Sequence, residues 1–391
     1  MAIRRLGRTV WALGLTSLLT DLGTEMIFPL LPLFLTQTLG AGAEALGLIE
    51  GAADALAALL KLGSGYLLER WPRAKALALT GYSISSAVRP LVAIAAAPFH
   101  VLAVRLGDRV GKGLRGTARD ALLSEAAPAG ETGRVFGFDR SMDHLGALVG
   151  PLLASALLGL GHLGLRSVFA ISVVPGALAV LALALGVRRD PPRIARAEPL
   201  SVDRAPLPPR FWSYLAIAGL FALANSSDAF LLLRAQELGV AAAALPLVWV
   251  VLHLSKMASA YPLGGLSDRV GRLPTLLTGY LWYALSYGAF ALARGPGAAW
   301  LLFAIYGVFY GLTEGVGKAL VADLLPAERR ASGFGLYNGA TGFLSLPAGL
   351  AMGFVWHRAG GPAALLFAAV LAALAALGLL AFGALARLDE R

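Results

Sequence analysis

Long apolar segments alternate with short charged ones along the whole chain, and this pattern restricts the possible folds more than any other feature. Each apolar segment has about the twenty residues that a helix needs to cross a hydrocarbon core about 30 Å thick. Ala and Leu dominate these segments and polar–apolar alternation is absent, which argues against strands. We therefore predict an all-α integral membrane protein with twelve transmembrane helices. The predicted helices are residues 10–38, 44–69, 75–96, 99–125, 134–160, 164–187, 211–236, 242–266, 273–293, 298–324, 332–356 and 362–386.

Composition indicates the same class of protein and excludes several others. Of 391 residues, 58% are hydrophobic and only 14% are charged, and the mean hydropathy is +0.72. These values are too apolar for a soluble protein of this size. The chain has no cysteine, which excludes disulfides, thiolate catalysis and zinc–thiolate sites. The sequence contains no nucleophile motif, no paired-histidine metal site and no ATP-binding loop, so we expect a non-enzyme without cofactor or metal that is driven by ion gradients.

Short clusters of arginine between the apolar segments carry the net charge of +10, which indicates membrane orientation rather than nucleic-acid binding. A twelve-helix topology puts most of these clusters on one side of the bilayer. We therefore expect a multi-pass protein of the cell inner (plasma) membrane with both termini in the cytoplasm. The basic start is followed by an apolar segment without a small-residue cleavage site, so the first helix is expected to be retained. The clustered residues are Arg4, Arg5, Arg8, Arg70, Arg73, Lys75, Arg188, Arg189, Arg193, Arg196, Arg204, Arg210, Arg269, Arg272, Arg329, Arg330, Arg387 and Arg391.

The two halves of the chain repeat each other at a nearly fixed offset. Residues 65–73 recur 199 positions later at 264–272, and Glu125 recurs 198 positions later as Asp323. The Pro- and Arg-rich segment 188–210 separates six predicted helices from six, and we interpret it as a cytoplasmic linker. This repetition predicts two pseudo-symmetric bundles with a substrate site near mid-membrane between them. The predicted domains are an N-terminal six-helix bundle at 1–187 and a C-terminal six-helix bundle at 211–391.

The fourth predicted helix carries more charge than membrane helices normally hold. Residues 105–120 read RLGDRVGKGLRGTARD, and counting from Phe99 at about 1.5 Å per residue puts Arg109 about 15 Å deep in the bilayer. A guanidinium at that depth costs at least about 2.5 to 3.5 kcal/mol, so it must face protein or a wet cavity and find a partner. Arg109 is therefore a candidate functional residue.

A loop motif resembles that of the major facilitator superfamily, and the resemblance extends over essentially the whole chain. The motif G-x-L-x-D-R-x-G-R follows the second and eighth helices of that superfamily. Residues 264–272 match it in full, and residues 65–73 match it except at Glu69 and Pro72. The resemblance implies cytoplasmic charge contacts that hold an outward-facing state. The implied gating-loop residues are Gly65, Glu69, Arg70, Arg73, Gly264, Asp268, Arg269, Gly271 and Arg272.

Two further motifs resemble the drug–proton antiporter branch of that superfamily. The segment that begins at Arg109 resembles R-x-x-Q-G on the fourth helix, with Lys112 in place of Gln. In that branch the Arg is thought to govern proton movement. Gly146, Gly150 and Pro151 match G-x-x-x-G-P on the fifth helix, which marks antiporters in the family. Small residues four apart also serve plain helix packing, which is the alternative for this motif.

Ionisable residues inside the predicted helices of the N-terminal half can bind and release protons. Asp21 and Glu25 lie one turn apart on the first helix, and Glu50 and Asp54 lie one turn apart on the second. A fixed cation such as Arg109 favours the charged form of a nearby carboxylate, and alternating access can remove that cation. The alternative is a set of permanent ion pairs that fix helix positions. The predicted proton-coupling residues are Asp21, Glu25, Glu50, Asp54, Arg109 and Asp143.

A second set of polar residues is predicted to line the substrate cavity. Asp228 is expected to face Glu25 in the pseudo-symmetric arrangement, and most of the few lysines lie inside predicted helices although the loops prefer arginine. Such a preference indicates a need for a compact ammonium. Glu314 and Lys318 stand four residues apart, so a self-contained pair is the alternative for these two. The predicted cavity residues are Arg105, Lys112, Arg140, Asn225, Asp228, Lys256, Glu314 and Lys318.

These observations predict a secondary active transporter that works by rocker-switch alternating access. Proton-coupled antiport, exporting a small organic or amphipathic solute, fits the antiporter motif and the excess of carboxylates within the helices. The alternative is a proton symporter or uniporter of an organic anion with the same fold, in which the buried cations bind the substrate. The expected partners are a small-molecule substrate, protons and the lipid bilayer, without nucleic acid, and the expected state is a monomer.

Overall fold

The protein was analysed as a computed structural model that describes residues 7–70, 73–127, 132–187, 207–326 and 329–388. Within these ranges the chain is helical almost throughout and contains no strand. We number the twelve membrane-length helical segments α1 to α12. The first six are α1 (Arg8–Thr38), α2 (Ala43–Arg70), α3 (Ala74–Ile94), α4 (Pro98–Ala126), α5 (Thr132–Gly159) and α6 (Leu165–Gly186). The others are α7 (Pro209–Glu237), α8 (Ala242–Ala244 with Leu245–Val270), α9 (Arg272–Leu292), α10 (Pro296–Asp323), α11 (Arg330–Phe343 with 345–359) and α12 (361–388).

The helix bounds confirm the all-α fold and agree with the predicted segments to within about one turn of helix. Pro98, Pro209 and Pro296 each occupy a first-turn position, where the missing N–H costs nothing. Eight described stretches are long and apolar enough to cross a membrane, and the last of them covers both α11 and α12. The helices α2, α4 and α9 fall outside this set. In α4 the cause is the run of charged residues.

Several of the helical segments are interrupted. The regular part of α1 ends at Glu25, and short turns carry Pro29 and Pro32, as expected of a proline-kinked helix. The helix α7 is broken at residues 225–228 without any proline. Gly360, with φ of +84°, separates α11 from α12 in a conformation that only glycine adopts readily.

Contacts between Cα atoms divide the chain into two compact units, each described here by itself. The first unit contains Met1–Phe34 and Leu56–Val202, and the second contains Leu35–Ala55 and Asp203–Arg391. The first half of α2 therefore belongs to the second unit by its contacts. The predicted linker lies mostly outside the described residues, so the predicted domain boundaries stay predictions.

Glycines allow close helix contacts in both units. In the first unit α3 packs on α4, and a Cβ added to Gly81 would lie 2.5 Å from the carbonyl oxygen of Gly111. In the second unit α9 packs on α10, and a Cβ added to Gly279 would lie 2.4 Å from Thr313. Gly279 stands 198 positions after Gly81, which is the offset of the sequence repeat. The two units therefore share the same close helix pair.

The first half of α2 packs on α11 within the second unit. A Cβ added to Gly47 would lie 2.0 Å from the carbonyl oxygen of Gly349, and one added to Gly51 would lie 2.7 Å from that of Ser345. Backbones this close leave no room for a side chain at either glycine. This contact explains why Leu35–Ala55 joins the second unit.

Candidate functional site

A buried ion pair joins three helices of the first unit. Arg89 on α3 donates from Nε to Oδ1 of Asp108 on α4 over 2.8 Å, and from Nη1 to the carbonyl oxygen of Thr20 on α1 over 2.9 Å. Both charged residues are buried. Nη1 of Arg109 lies 4.0 Å from Oδ2 of Asp108. One partner of Arg109 is therefore its own neighbour Asp108, which is itself held by Arg89.

Aromatic rings cover two further arginines of α4. The guanidinium carbon of Arg105 lies 5.4 Å from the ring centroid of Phe28, and that of Arg115 lies 4.6 Å from the centroid of Tyr82. Both arginines are buried. A guanidinium over an aromatic face gains cation–π stabilisation, which is larger where water is excluded. Arg105 and Arg115 thus face protein side chains.

A second network holds the C-terminal part of α4. Arg119 lies 3.4 Å from both Asp139 and Asp143 of α5, and it donates to the hydroxyl of Ser17 over 2.6 Å. Ser17 in turn donates to Asp143. Arg140 approaches Asp143 over 3.5 Å from a side chain that is 69% exposed. Arg119 is therefore the central cation of this network and Arg140 a peripheral one.

The glycines of the fifth-helix motif press against the part of α1 that carries the predicted proton carriers. A Cβ added to Gly146 would lie 2.3 Å from the carbonyl oxygen of Leu18 and 3.1 Å from Cβ of Asp21. One added to Gly150 would lie 2.5 Å from the carbonyl oxygen of Leu22 and 3.0 Å from Cβ of Glu25. The motif thus sets the distance between α5 and the acidic turn of α1.

Asp21 lies among charged groups of the first unit. It interacts electrostatically with Lys112, Arg115 and Arg119 of α4 and with Asp143 of α5. Asp21 is half-buried, and the Lys112 side chain is exposed. A carboxylate near three cations and one other carboxylate responds strongly to any motion that changes those distances.

The two acidic residues predicted on α2 belong to the second unit by their contacts. Glu50 is buried and Asp54 is half-buried, one turn further along the helix. Gly51, between them, is the residue that contacts α11. The structure therefore brings Asp21 and Asp143 together within the first unit and describes Glu50 and Asp54 within the second.

The second unit has its own polar cluster, centred on Asp228 where α7 is broken. Tyr306 of α10 donates to Oδ1 of Asp228 over 2.8 Å, and Tyr310 donates to Oδ2 over 2.5 Å. Lys256 of α8 places Nζ 3.2 Å from the same Oδ2. The broken backbone is satisfied locally, because Tyr283 donates to the carbonyl oxygen of Ala224 over 2.8 Å. Non-helical backbone at membrane depth occurs where it is enclosed by protein or lines a cavity.

A cavity of about 260 Å³ opens beside this cluster. Three of the predicted cavity residues, Asn225, Glu314 and Lys318, line it, and Glu314 and Lys318 are exposed. Half of the other ten lining residues are aromatic. The aromatic lining residues are Phe221, Tyr280, Phe309, Tyr310 and Tyr337.

The repeat shows that the two units use the same positions for different chemistry. At an offset of 198, the Arg89–Asp108 ion pair corresponds to Tyr287 and Tyr306, whose rings lie 5.8 Å apart in an edge-to-face contact. The same offset relates Lys112 to Tyr310. The first unit thus places charges where the second unit places tyrosines.

The gating-loop motif is described in its second copy. Gly271, with φ of +106°, joins α8 to α9, and Arg272 donates to the hydroxyl of Ser267 over 2.6 Å. Arg272 also lies 3.5 Å from Asp323 at the end of α10. Arg269 is exposed. A Cβ added to Gly264 would have no atom within 4 Å. The side chains of Glu69, Arg70 and Asp268 and the surroundings of Gly65 lie outside what the structure describes, and Arg73 is exposed at the start of α3.

Sequence reasoning missed the partners that complete both clusters. Arg89 is the only charged residue between Thr80 and Val104, a signal that was available, and Asp108 adjoins the suspected Arg109. The tyrosines carried no comparable signal, because membrane helices place aromatic residues in many roles. Applying the 198-residue offset to α3 and α4 would have selected Tyr287, Tyr306 and Tyr310.

Comparison with known proteins identifies the family. The fold and the charged helix interior are those of a membrane transporter, and the family described as Major Facilitator Superfamily matches residues 13–253 and 215–391. The chain belongs to the major facilitator superfamily, which confirms the resemblance seen in its motifs.

Relatives and solved structures agree with this assignment. An uncharacterized MFS-type transporter of Methanocaldococcus jannaschii is 32% identical over 359 residues, covering 90% of this chain and 89% of the relative. The multidrug resistance protein MdtH of Escherichia coli is 26% identical over 363 residues, covering 90% and 86%. The crystal structure of the nucleoside transporter NupG superposes with a TM-score of 0.79 at 15% identity, covering 96% of this chain and 98% of NupG. That similarity shows the shared fold.

Proposed function

We propose that the protein is a proton-coupled antiporter that exports a small organic or amphipathic solute by alternating access of two helix bundles. The observation that carries this proposal is the contact of Gly146 and Gly150 with the turn of α1 that bears Asp21 and Glu25. Asp21 also interacts with Lys112, Arg115 and Arg119 of α4, so any motion of α1 relative to α4 changes the distances between this carboxylate and those cations. Such motion can change its protonation. The multidrug resistance function named for the relative MdtH is in keeping with export.

The two repeats differ in the residues that fill their equivalent helix interfaces, and this difference also supports the proposal. Charged residues fill the α3–α4 interface of the first unit, whereas tyrosines fill the equivalent interface of the second, next to an aromatic cavity. Charges suit proton exchange and an aromatic wall suits an organic solute. We therefore assign proton coupling mainly to the first unit, with a smaller contribution from Asp54, and solute binding to the second unit. Both termini are proposed to face the cytoplasm, on the positive-inside rule.

The test uses proteoliposomes that contain a pH-sensitive dye, with a solute first selected by thermal-shift screening of organic cations, anions and amphiphiles at two pH values. Adding the solute against an imposed pH gradient should move protons in the wild type. We expect Asp21→Asn and Glu25→Gln to abolish this movement, and Asp54→Asn to reduce it. The matched control is Glu44→Gln, an exposed carboxylate in the first turn of α2 that should behave as wild type.

The symporter or uniporter of an organic anion is the competing function. Lys318 in the cavity wall and the buried Arg105 favour it, because both could bind an anion. In the same proteoliposomes a symporter would move solute and protons in one direction, whereas an antiporter moves them in opposite directions. Full proton movement in all three carboxylate variants would reject coupling through these residues.

A further inference from the structure

The cluster around Asp228 has the composition of an ammonium-binding site, and the ammonium group that occupies it is that of Lys256. Nζ of Lys256 lies 3.2 Å from the Asp228 carboxylate, 3.5 Å from the ring centroid of Tyr310 and 5.5 Å from that of Trp249. A carboxylate with aromatic faces is the arrangement by which proteins bind organic ammonium ligands. Lys256 therefore occupies a complete site for such a group.

The site keeps its shape without the lysine. Asp228 accepts hydrogen bonds from the hydroxyls of Tyr306 and Tyr310, one on each carboxylate oxygen. These two bonds fix the carboxylate independently of Lys256. A preformed acceptor lowers the cost of binding a ligand in place of the lysine.

We call the Asp228 carboxylate together with the rings of Tyr310 and Trp249 the cage. Glycine contacts fix the distance between α8 and α10, which carry Trp249 and Tyr310. A Cβ added to Gly307 would lie 2.4 Å from Cβ of Ser255, and one added to Gly311 would lie 2.7 Å from the carbonyl oxygen of Ser259. These contacts flank Lys256 on α8 and Tyr310 on α10. The distance between the two helices is thus set by backbone packing and not by the lysine side chain.

The cage communicates with the aromatic cavity through a shared residue. Tyr310 contributes its ring to the cage and also lines the cavity of about 260 Å³, together with Phe221 and Tyr280. The Lys256 side chain is 21% exposed, and its four-carbon stem is flexible. The ammonium can therefore swing out of the cage while an aromatic solute occupies the cavity.

We propose that Lys256 is an internal stand-in for the ammonium group of an aromatic organic cation, which displaces it from Asp228 and Tyr310. The solute's ring would lie in the aromatic cavity and its ammonium in the cage. This inference rests on the proposed function, since it names the solute class for the same transporter. The solute can bind only while Lys256 is out of the cage. Its apparent affinity is therefore the intrinsic affinity multiplied by the fraction of time that Lys256 spends outside.

The experiment measures binding of benzyltrimethylammonium to the purified full-length protein in detergent by isothermal titration calorimetry. Its neutral isostere neopentylbenzene and the anion benzenesulfonate are the comparison ligands. We expect Lys256→Met to bind the cation about tenfold more tightly than the wild type, because the competing ammonium is gone. Lys256→Arg keeps the charge and should bind no more tightly than the wild type. Asp228→Asn should bind at least about tenfold more weakly, since the charge partner is lost.

The matched control is Lys318→Met, which removes the same charge from the cavity wall without touching Asp228. It should tighten binding less than Lys256→Met does. Equal gains in both lysine variants would show a general charge effect and overturn the stand-in role. If Asp228→Asn does not elute as a folded protein on gel filtration, Tyr310→Ala, which removes a cage wall, takes its place with the same expected loss.

Three other results would also overturn the proposal. The first is that benzenesulfonate binds more tightly than the cation and that Lys256→Met loses this binding. The second is that neopentylbenzene binds as tightly as the cation. The third is that the cation shows no saturable binding to either the wild type or Lys256→Met. The titration involves no pH gradient, so cation binding can be found even if proton coupling fails. Conversely, proton-coupled transport of another solute can persist while this binding is absent.

Discussion

Arg89 and Asp108 form an ion pair across the α3–α4 interface, with 2.8 Å between Nε and Oδ1 and with both side chains almost fully enclosed. Nη1 of Arg89 donates to the carbonyl oxygen of Thr20 on α1. Burying two charges is costly, and the attraction between them offsets that cost only when the geometry is good. The pair therefore fixes three helices together.

Removing one partner should be more damaging than removing both. We expect Arg89→Met or Asp108→Leu alone to lower stability by about 3–5 kcal/mol, because each leaves an uncompensated buried charge. The double variant should lose less than either single variant, because no unpaired charge remains between the two positions. Thermal unfolding in detergent, followed by tryptophan fluorescence, measures all three. Additive losses would mean that the two side chains do not interact.

A methyl group at the fifth-helix motif should separate α5 from α1. Gly146→Ala puts a Cβ 2.3 Å from the carbonyl oxygen of Leu18, so backbone has to move at a cost of about 1–3 kcal/mol. We expect a lower unfolding temperature and loss of proton coupling. Gly288→Ala is the control, because nothing lies within 4 Å of an added Cβ on this α9 glycine. An unfolding temperature equal to that of Gly288→Ala would refute the close contact.

Arg119 and Arg140, the two arginines near Asp143, should contribute unequally to stability. Arg119→Ala leaves Asp139 and Asp143 without their shared cation and should destabilise the protein strongly, by about 3 kcal/mol. Arg140→Ala removes a side chain that is 69% exposed and should have almost no effect. Unfolding temperatures of the two variants, compared under the same conditions, test this order. A larger loss in Arg140→Ala contradicts the network.

The backbone conformation of Gly271 should contribute more to stability than the nearby ion pair between Arg272 and Asp323. Gly271→Ala forces a side chain into a backbone region that is essentially restricted to glycine, at about 1–3 kcal/mol. Asp323→Asn removes an ion pair whose acidic partner is 56% exposed, so less than about 1 kcal/mol is expected. Chemical or thermal unfolding of each variant gives the comparison. The reverse order would indicate that the charge contact, rather than the turn, holds the loop.

Sequence alone predicted the helices well because bilayer thickness sets their length. The bounds of α3 and α4, for example, follow from where apolar runs meet Arg73 and Pro98. It predicted equally that Arg109 needs a partner. It did not predict the ion pair between Arg89 and Asp108, because Arg89 reaches Asp108 from another helix and such pairing depends on the rotation of both helices.

The break in α7 shows a second limit. Residues 225–228 read Asn-Ser-Ser-Asp, a run with low helix propensity, although it contains no proline or glycine. Tertiary contacts hold the break, because Tyr283, Tyr306 and Tyr310 from two other helices bond to Ala224 and Asp228 around it. The charges of Asp228 and Lys256 were readable in advance, whereas their aromatic enclosure required the packed bundle.

The polar character of α4 bears on how the protein is made. Taken alone, α4 carries too much charge for a typical apolar membrane span, so its transfer into lipid as a single segment is unfavourable. Its neighbour α3 is apolar enough to span, and Gly81 and Gly111 let the two backbones touch. We therefore expect α3 and α4 to enter the bilayer together as a hairpin in which Arg89 is already paired with Asp108.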